Sequence, residues 1–201
     1  ECPDYFPLDG RQVLIVSPQE MDPEGLEFHT GNGTVCLIGS CEPGSGDFVR
    51  QHVQAIDYGL DFYAPQTLRT ADGRRVMIAW MQNWASAGAK HSNCRWFGQM
   101  TLPRELSVRG GRLYQVPVRE LERYRGKCVT YTGVPVSVET SLPGVRGRVL
   151  DLTVTVRPDG SGPCRWFCIR VAKDGPDETL IRYRPCDGVL KLDRTRSGLP
   201  H

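Results

Sequence analysis

The chain has 201 residues, of which 39% are hydrophobic and 24% charged, and 37 positions are glycine or proline. This composition is typical of a globular protein with many turns, and it favours short strands over long helices. We expect neither a membrane nor a nucleic-acid partner, because no apolar run approaches the roughly 18 residues of a membrane-spanning helix and the 21 arginines form no basic run.

Short apolar stretches follow glycine-containing turns throughout the first part of the chain. The dipeptide Asp9-Gly10 precedes the first of these stretches, and Gly110-Gly111 precedes the last. Strands and tight turns that alternate in this way are typical of a β-propeller, a sandwich or a barrel. The sequence therefore predicts an all-β protein, with strands over residues 13–16, 35–38, 75–80 and 113–116.

One short stretch interrupts this pattern. Val118, Leu121 and Tyr124 recur at helical spacing, which predicts a helix that connects two domains. Beyond it, apolar and polar residues alternate more regularly, and this predicts strands with one wet face over residues 150–156, 167–171 and 181–184. Four or five strands are too few to close a two-sheet sandwich, so we expect an exposed sheet unless more chain follows.

The eight cysteines are even in number, which permits disulfides, but no C-x-x-C pair is present. A chain of this length does not need disulfides to fold. Reduced, mostly buried thiols in a cytoplasmic protein are therefore the simpler interpretation. The sequence predicts no metal site and no cofactor.

An ordered series of motifs runs along the chain. It begins with Glu1-Cys2-Pro3 and continues with residues 57–67 (DYGLDFYAPQT). Further segments follow at residues 73–84, 100–106, 113–118 and 192–198. The first motif resembles the E-C-P motif of glycoside hydrolase family 32, the sucrose and sucrose-6-phosphate hydrolases. The second resembles the D-Y-G-x-D-F-Y-A-P-Q segment of the same family. E-C-P alone is a weak signal, whereas motifs in family order from residue 1 to about residue 198 are specific.

This resemblance implies a fold and a domain order. Members of the family have a five-bladed β-propeller, whose central funnel holds the active site, followed by a β-sandwich. We expect residues 1–117 to be the last blades of the propeller, residues 118–126 a linker helix, and residues 127–201 an incomplete sandwich.

The resemblance also implies a catalytic role for Glu1. It matches the glutamate that protonates the leaving glucosyl oxygen and then deprotonates the water that releases fructose. Hydrolysis with retention needs a second carboxyl group, the nucleophile, only ~5–5.5 Å away. The family's D-P-N-G-type nucleophile motif and its R-D-P motif are absent from these residues. Because Glu1 is not a start methionine, we expect the natural chain to begin earlier, and we expect residues 1–201 alone to hydrolyse no sucrose.

Three further side chains are implied to contact the sugar. Asp57 matches an aspartate that hydrogen-bonds the substrate in some family members, although it could instead cap its own turn. Trp84 matches a funnel tryptophan whose ring stacks on a sugar, and Trp80 is expected in the core. Cys2 lies beside the acid/base, where a packing role is equally compatible with its position.

Several alternatives stay open. The residues do not separate sucrose from sucrose-6-phosphate, and a fructan hydrolase or fructosyltransferase uses the same scaffold. A non-catalytic carbohydrate-binding fragment would hold sugar without turnover. We expect a bacterial cytoplasmic protein, with secretion left open because the N-terminus is missing, and the oligomeric state is unknown.

Overall fold

The computed structural model describes residues 1–42, 44–82, 84, 98–158, 160, 162 and 164–197. The chain divides into two compact units, Glu1–Tyr124 and Arg125–His201. The described residues contain eleven strands and one short 3-10 helix. The prediction of an all-β protein is confirmed.

The first unit contains two four-stranded antiparallel sheets, and in each the spatial order of the strands follows the chain. The first sheet consists of β1 (Asp4–Leu8), β2 (Arg11–Val16), β3 (Val35–Cys41) and β4 (Phe48–Ala55). The second consists of β5 (Tyr63–Arg69), β6 (Arg75–Trp80), β7 (Arg104–Arg109) and β8 (Arg112–Pro117). The four strands predicted in this part of the chain are confirmed as β2, β3, β6 and β8.

Two hairpins in this unit close through two-residue turns. Asp9 and Gly10 have φ angles of 48° and 75°, and Gly110 and Gly111 have φ angles of 55° and 75°. Positive φ at both turn positions gives a twist that matches the flanking strands, which is why Asp-Gly and Gly-Gly are favoured there. The turns predicted between β1 and β2 and between β7 and β8 are thus confirmed.

One hydrophobic core serves both sheets of the first unit. Side chains from β1, β2 and β3 pack in the same buried cluster as side chains from β6, β7 and β8. The edges of the sheets are also joined, because the Gln54 amide on β4 accepts from the Leu113 amide at 2.9 Å and donates to the Leu113 carbonyl at 3.1 Å. The fully buried members of the core include Val13, Ile15, Cys36, Ile38 and Met77.

Gly39 on β3 allows a close approach of the neighbouring strand. A Cβ atom at this position would lie 2.2 Å from the carbonyl oxygen of Val49 on β4. The register of β3 and β4 also shifts between Ile38 and Gly39, which marks a β-bulge. Only glycine fits this contact without movement of the backbone.

The predicted connector helix is shorter and tighter than an α-helix. Arg119–Tyr124 form a 3-10 helix in which no residue is buried. The spacing of Val118, Leu121 and Tyr124 at three residues is the period of a 3-10 helix, and this explains the observed form. The helix is held by Arg74, immediately before β6, whose guanidinium donates to both carboxylate oxygens of Glu120 at 3.1 and 2.6 Å.

Arg74 also anchors neighbouring carboxylates. It donates to Asp72 at 2.8 Å and to Glu105 on β7 at 3.3 Å. Arg119 binds the same oxygen of Asp72 at 2.6 Å. These ion pairs join the β5–β6 turn, β7 and the 3-10 helix within the first unit.

The second unit contains one three-stranded antiparallel sheet in the order β11-β10-β9. Its strands are β9 (Phe167–Asp174), β10 (Asp177–Arg184) and β11 (Val189–Arg196). The strand predicted over residues 150–156 is wrong, because these residues form neither helix nor strand. Their alternation would suit a strand, but no described strand pairs with them. Leu190 and Leu192 on β11 are 69% and 58% exposed, so this sheet presents apolar side chains to solvent.

The described cysteines Cys2, Cys36, Cys41, Cys128, Cys164, Cys168 and Cys186 are free thiols. Only Cys36 among them is buried, so the expectation of mostly buried thiols is wrong. No helix in the described part of the chain is both long and apolar enough to cross a membrane. Nor do three or more His, Cys, Asp or Glu side chains of these residues form a group that could hold a metal ion.

Candidate active site

A β-bulge distorts the chain immediately before β1. Asp4 lies opposite Ile15 in the regular part of the hairpin. Glu1 exchanges both backbone hydrogen bonds with Ser17, at 2.8 and 2.9 Å, so one extra residue lies on the Glu1 side between the two pairs. Cys2, within the bulge, has a φ of 47°, an unusual conformation for a residue with a side chain.

The second sheet begins with the same distortion. Tyr63 on β5 lies opposite Trp80, whereas Gln66 lies opposite Ile78, so this strand also carries one extra residue. Ala64, within the bulge, has a φ of 48°. In each case the residue with positive φ precedes a proline, and the bulge re-aims the side chain just before it. Glu1 and Tyr63 therefore hold equivalent positions in the two sheets.

Ser17, which follows β2, joins the two bulges. It is fully buried, and its backbone pairs with that of Glu1. Its hydroxyl accepts from the Ala64 amide at 3.0 Å and shares a hydrogen bond with the Thr34 hydroxyl at 3.2 Å. Its carbonyl oxygen also lies 3.3 Å from the Tyr63 hydroxyl. Each hydrogen-bonding group of Ser17 thus helps to hold the start of β1 or β5.

Two donors converge on one oxygen of the Glu1 carboxyl group. The Tyr63 hydroxyl donates to Oε2 of Glu1 at 3.1 Å, across 62 positions of sequence. The indole N–H of Trp84 donates to the same oxygen at 3.4 Å. Glu1 itself is exposed, so this carboxyl group is both held by the protein and accessible from solvent.

Tyr63 is far more buried than Glu1. Its side chain is 1% exposed. Burial raises the pKa of Tyr63, and the hydrogen bond to the Glu1 carboxyl group acts in the same direction, whereas hydrogen bonds with Gln19 and Trp84 oppose it. The phenol therefore keeps its proton at neutral pH and acts as a donor.

Trp84 presents an aromatic surface beside this carboxyl group. Its side chain is 58% exposed. Its ring meets that of Trp80 edge-on, with centroids 5.5 Å apart and an interplanar angle of 72°. Trp80, which was expected in the core, is half-buried at the end of β6 and supports the Trp84 ring. An exposed ring next to a carboxyl group suits contact with a sugar.

The other two predicted substrate contacts lie in separate settings. Asp57 accepts a hydrogen bond from the Gly59 amide at 2.7 Å, which is the turn-capping arrangement, and it pairs with Arg104 at 2.8 Å. Cys2 is exposed, and its carbonyl oxygen accepts from the Gln66 amide group at 3.4 Å. The structure therefore brings Glu1 and Trp84 into contact, and it gives the Asp57 carboxylate protein partners of its own.

Tyr63 and Ser17 were not among the predicted site residues. Tyr63 lies inside an apolar segment and looks like a core residue, and a single serine carries no signal. The clue was the repeated spacing of a proline two residues after Glu1 and two residues after Tyr63. Two such prolines at the starts of equivalent strands point to equivalent bulges.

Comparison with known proteins gives the family. Residues 1–117 match the model for the N-terminal domain of glycosyl hydrolases family 32. The chain belongs to glycoside hydrolase family 32. The match covers both four-stranded sheets and includes Glu1, Tyr63 and Trp84.

Curated relatives carry the names of an invertase and of sucrose-6-phosphate hydrolases. A raffinose invertase of Escherichia coli is 44% identical over 128 residues, which cover 64% of this chain and 27% of the relative. A sucrose-6-phosphate hydrolase of Staphylococcus xylosus is 31% identical over 202 residues, which cover 98% of this chain and 39% of the relative. The chain thus spans well under half the length of these relatives.

Solved structures agree with the family assignment. A β-fructofuranosidase of Bombyx mori from family 32 is 33% identical, with a TM-score of 0.57 over 65% of this chain and 28% of that one. A sucrose-6-phosphate hydrolase of Lactobacillus gasseri is 18% identical, with a TM-score of 0.70 over all of this chain and 40% of that one. The second likeness bears on the fold alone.

Proposed function

We propose that this chain is part of a retaining β-fructosidase that hydrolyses sucrose or sucrose-6-phosphate, with Glu1 as its general acid/base. The observation that carries the proposal is the accessible Glu1 carboxyl group, held by Tyr63 at 3.1 Å and bordered by the exposed ring of Trp84. The names of the relatives, which include raffinose invertase and sucrose-6-phosphate hydrolase, support the substrate class. A Bombyx mori β-fructofuranosidase variant has been solved in complex with sucrose.

The chemistry requires a second carboxyl group. In the first step a carboxylate forms a bond to the anomeric carbon of fructose while the bond to the leaving oxygen breaks, and Glu1 gives that oxygen its proton. In the second step water attacks the anomeric carbon, Glu1 takes a proton from the water, and the bond to the nucleophile breaks. We place the nucleophile on polypeptide outside residues 1–201. The term "complete enzyme" below means this chain together with the polypeptide that carries the nucleophile.

The architecture follows from the same assignment. Residues 1–117 form the last two blades of a five-bladed β-propeller, residues 118–126 the linker, and residues 127–201 part of a β-sandwich. The strands of each four-stranded sheet follow chain order, and the first strands of the two sheets, β1 and β5, are in contact. Both features support the assignment of the sheets as propeller blades. The likeness to the Lactobacillus gasseri fold across the whole chain supports both domains. A cytoplasmic location stays a prediction.

Three side chains are assigned to the sugar. Trp84 stacks on a ring face, and Cys2 borders the acid/base through its position next to Glu1. Asp57 keeps lone pairs for a sugar hydroxyl, because each carboxylate oxygen can accept two hydrogen bonds and its known partners are Gly59 and Arg104.

The direct test is Glu1→Gln in the complete enzyme, because the amide keeps the shape of the side chain but cannot act as an acid or a base. We expect kcat on sucrose to fall by about 10²–10⁴-fold, the usual contribution of a general acid/base. Full activity of Glu1→Gln would overturn the assignment. Residues 1–201 purified alone should release no fructose, and measurable release would contradict the external nucleophile.

The products that the complete enzyme forms distinguish sucrose hydrolysis from the other activities of the family. Fructosyl transfer to sugar, or preferential cleavage of fructan, would move the enzyme to the fructan-directed class. Sugar binding without turnover in the complete enzyme would indicate a carbohydrate-binding role, for which the exposed Trp84 ring is also suited.

A further inference from the structure

We propose that Tyr63 is a positioning residue that gives the two carboxyl oxygens of Glu1 different tasks. Oε2 accepts hydrogen bonds from the protein, and Oε1 carries the catalytic proton. This inference rests on the proposed function, in which Glu1 is the acid/base, and it adds the means by which the proton is directed.

The argument starts from the donors that face the carboxyl group. Tyr63 and Trp84 both donate to Oε2, at 3.1 and 3.4 Å. An indole N–H can only donate. A proton on Oε2 would force the Tyr63 hydroxyl to turn its one hydrogen to the more distant Ser17 carbonyl oxygen, at 3.3 Å, and would leave the Trp84 N–H facing an O–H group, whereas an unprotonated Oε2 accepts from Tyr63 at 3.1 Å and from Trp84 at 3.4 Å. The protonated form of Glu1 therefore keeps its proton on Oε1.

Only one of the two donors is rigidly placed. Trp84 is 58% exposed, whereas Tyr63 is 1% exposed and belongs to the core side of β5. The Tyr63 hydroxyl also lies 3.3 Å from the carbonyl oxygen of Ser17, a buried residue that binds both bulges. Burial raises the pKa of Tyr63, so the hydroxyl keeps its proton at neutral pH. Tyr63 thus makes the larger contribution.

The equivalence of the two bulges explains how the contact is built. Cys2 and Ala64 adopt nearly the same positive φ, 47° and 48°, each followed by proline. Each bulge re-aims the preceding side chain, so Glu1 and Tyr63 meet although they belong to different sheets. Backbone strain of this kind persists where surrounding contacts enforce it, and here Ser17 supplies those contacts.

The two steps of the reaction should differ in their need for this device. Acid catalysis in the first step requires the proton on the oxygen that faces the leaving group. Base catalysis in the second step requires only an ionised carboxylate. Removal of the tyrosine hydroxyl costs this carboxylate one hydrogen bond, but the carboxylate can still take a proton from water. Loss of the hydroxyl should therefore slow the first step selectively.

The test is Tyr63→Phe in the complete enzyme, assayed on sucrose and on an aryl β-fructofuranoside whose activated leaving group needs no acid. Tyr58→Phe is the matched control, because the exposed Tyr58 hydroxyl also donates to a carboxylate, Oε2 of Glu27 at 3.0 Å. We expect Tyr63→Phe to lower kcat on sucrose about 10- to 100-fold with KM nearly unchanged, and to lower kcat on the aryl fructoside by less than about threefold. Tyr58→Phe should match the wild type on both.

Each outcome bears on the inference. Equal losses on the two substrates would mean a merely structural role and would overturn it, as would unchanged activity on sucrose. Should Tyr63→Phe fail to fold, Trp84→Phe removes the other donor to Oε2 and keeps an aromatic ring; a larger loss on sucrose than on the aryl fructoside would support the inference, and equal losses would overturn it. Glu1→Gln, assayed in parallel, separates the two claims: if it keeps sucrose activity the acid/base assignment fails, whereas if it is inactive and Tyr63→Phe is normal only the positioning role fails.

Discussion

The hydroxyl of Ser17 accepts a hydrogen bond from the amide of Ala64 at 3.0 Å, and through this bond the end of β2 holds the start of β5. Ala64 lies in a strained bulge, and its amide would lose this acceptor if the Ser17 hydroxyl were removed. The same serine pairs with Glu1 through its backbone. Its side chain therefore matters for stability and for the geometry of the acid/base.

Ser17→Ala should lower the free energy of unfolding by about 1–3 kcal/mol, because the Ala64 amide and the Thr34 hydroxyl lose a buried partner. Urea unfolding of the complete enzyme measures this. Ser40→Ala is the control, since the Ser40 hydroxyl accepts a long hydrogen bond of 3.5 Å from Gln51. Equal stability of the two variants would show that the serine hydroxyl does not hold the bulge.

Gly39→Ala should destabilise the first sheet, because the added Cβ would lie 2.2 Å from the carbonyl oxygen of Val49 and the strands must move apart. A cost of about 1–3 kcal/mol is typical of such overpacking. Thermal or urea unfolding can be compared with that of Gly126→Ala, where a Cβ would meet no atom within 4 Å. A Gly39→Ala protein as stable as the control would refute the close approach of β3 and β4.

The ion pairs around Arg74 should make stability depend on pH in a defined range. A hydrogen bond from Thr70, together with the Arg74 and Arg119 guanidinium groups, lowers the pKa of Asp72 to about 2. Because the folded pKa lies below the unfolded value of about 3.9, the ionised carboxylate stabilises the fold above that value, and the effect is lost as the pH falls towards 2.

Asp72→Asn should therefore melt below the wild type at pH 5–7, and the two melting temperatures should converge as the pH approaches 2. Melting curves recorded at intervals of one pH unit measure this. Asp22→Asn, on the loop between β2 and β3, provides the comparison for loss of an exposed charge. A constant gap between Asp72→Asn and the wild type down to pH 2 would contradict the ion-pair account.

Cys36 should resist alkylation in the native protein. It is fully buried, and burial raises its pKa to about 12, so very little thiolate forms at pH 8. Cys2 and Cys41 are exposed and should react. Iodoacetamide treatment followed by peptide mass spectrometry should show modified Cys2 and Cys41 and unmodified Cys36, and Cys36 should react only after denaturation. Modification of native Cys36 at the rate of Cys41 would place it outside the core.

Much of the fold follows from local sequence. Asp-Gly and Gly-Gly turns fix φ at two positions, so the hairpins of β1–β2 and β7–β8 could be predicted. Residues 150–156 show the limit of this reasoning. Their alternation describes one face of a strand, but a strand forms only when another strand completes its hydrogen bonds, and the sequence of one segment does not reveal its partner.

The candidate site was partly predictable. Glu1 and Trp84 were found through motifs, and the structure places them in contact. Tyr63 was not found, because its contact with Glu1 joins two sheets and depends on matched bulges 62 positions apart. Asp57 was found by motif, yet only the structure shows that Gly59 and Arg104 already bind it.

The role of Glu1 is tested most directly by the product that Glu1→Ala forms with azide in the complete enzyme. A small anion needs no general base, so azide should attack the fructosyl-enzyme intermediate made from an activated aryl fructoside. The account predicts restored turnover and a β-configured fructosyl azide. No rescue by azide, or sucrose hydrolysis by Glu1→Ala at the wild-type rate, would contradict it.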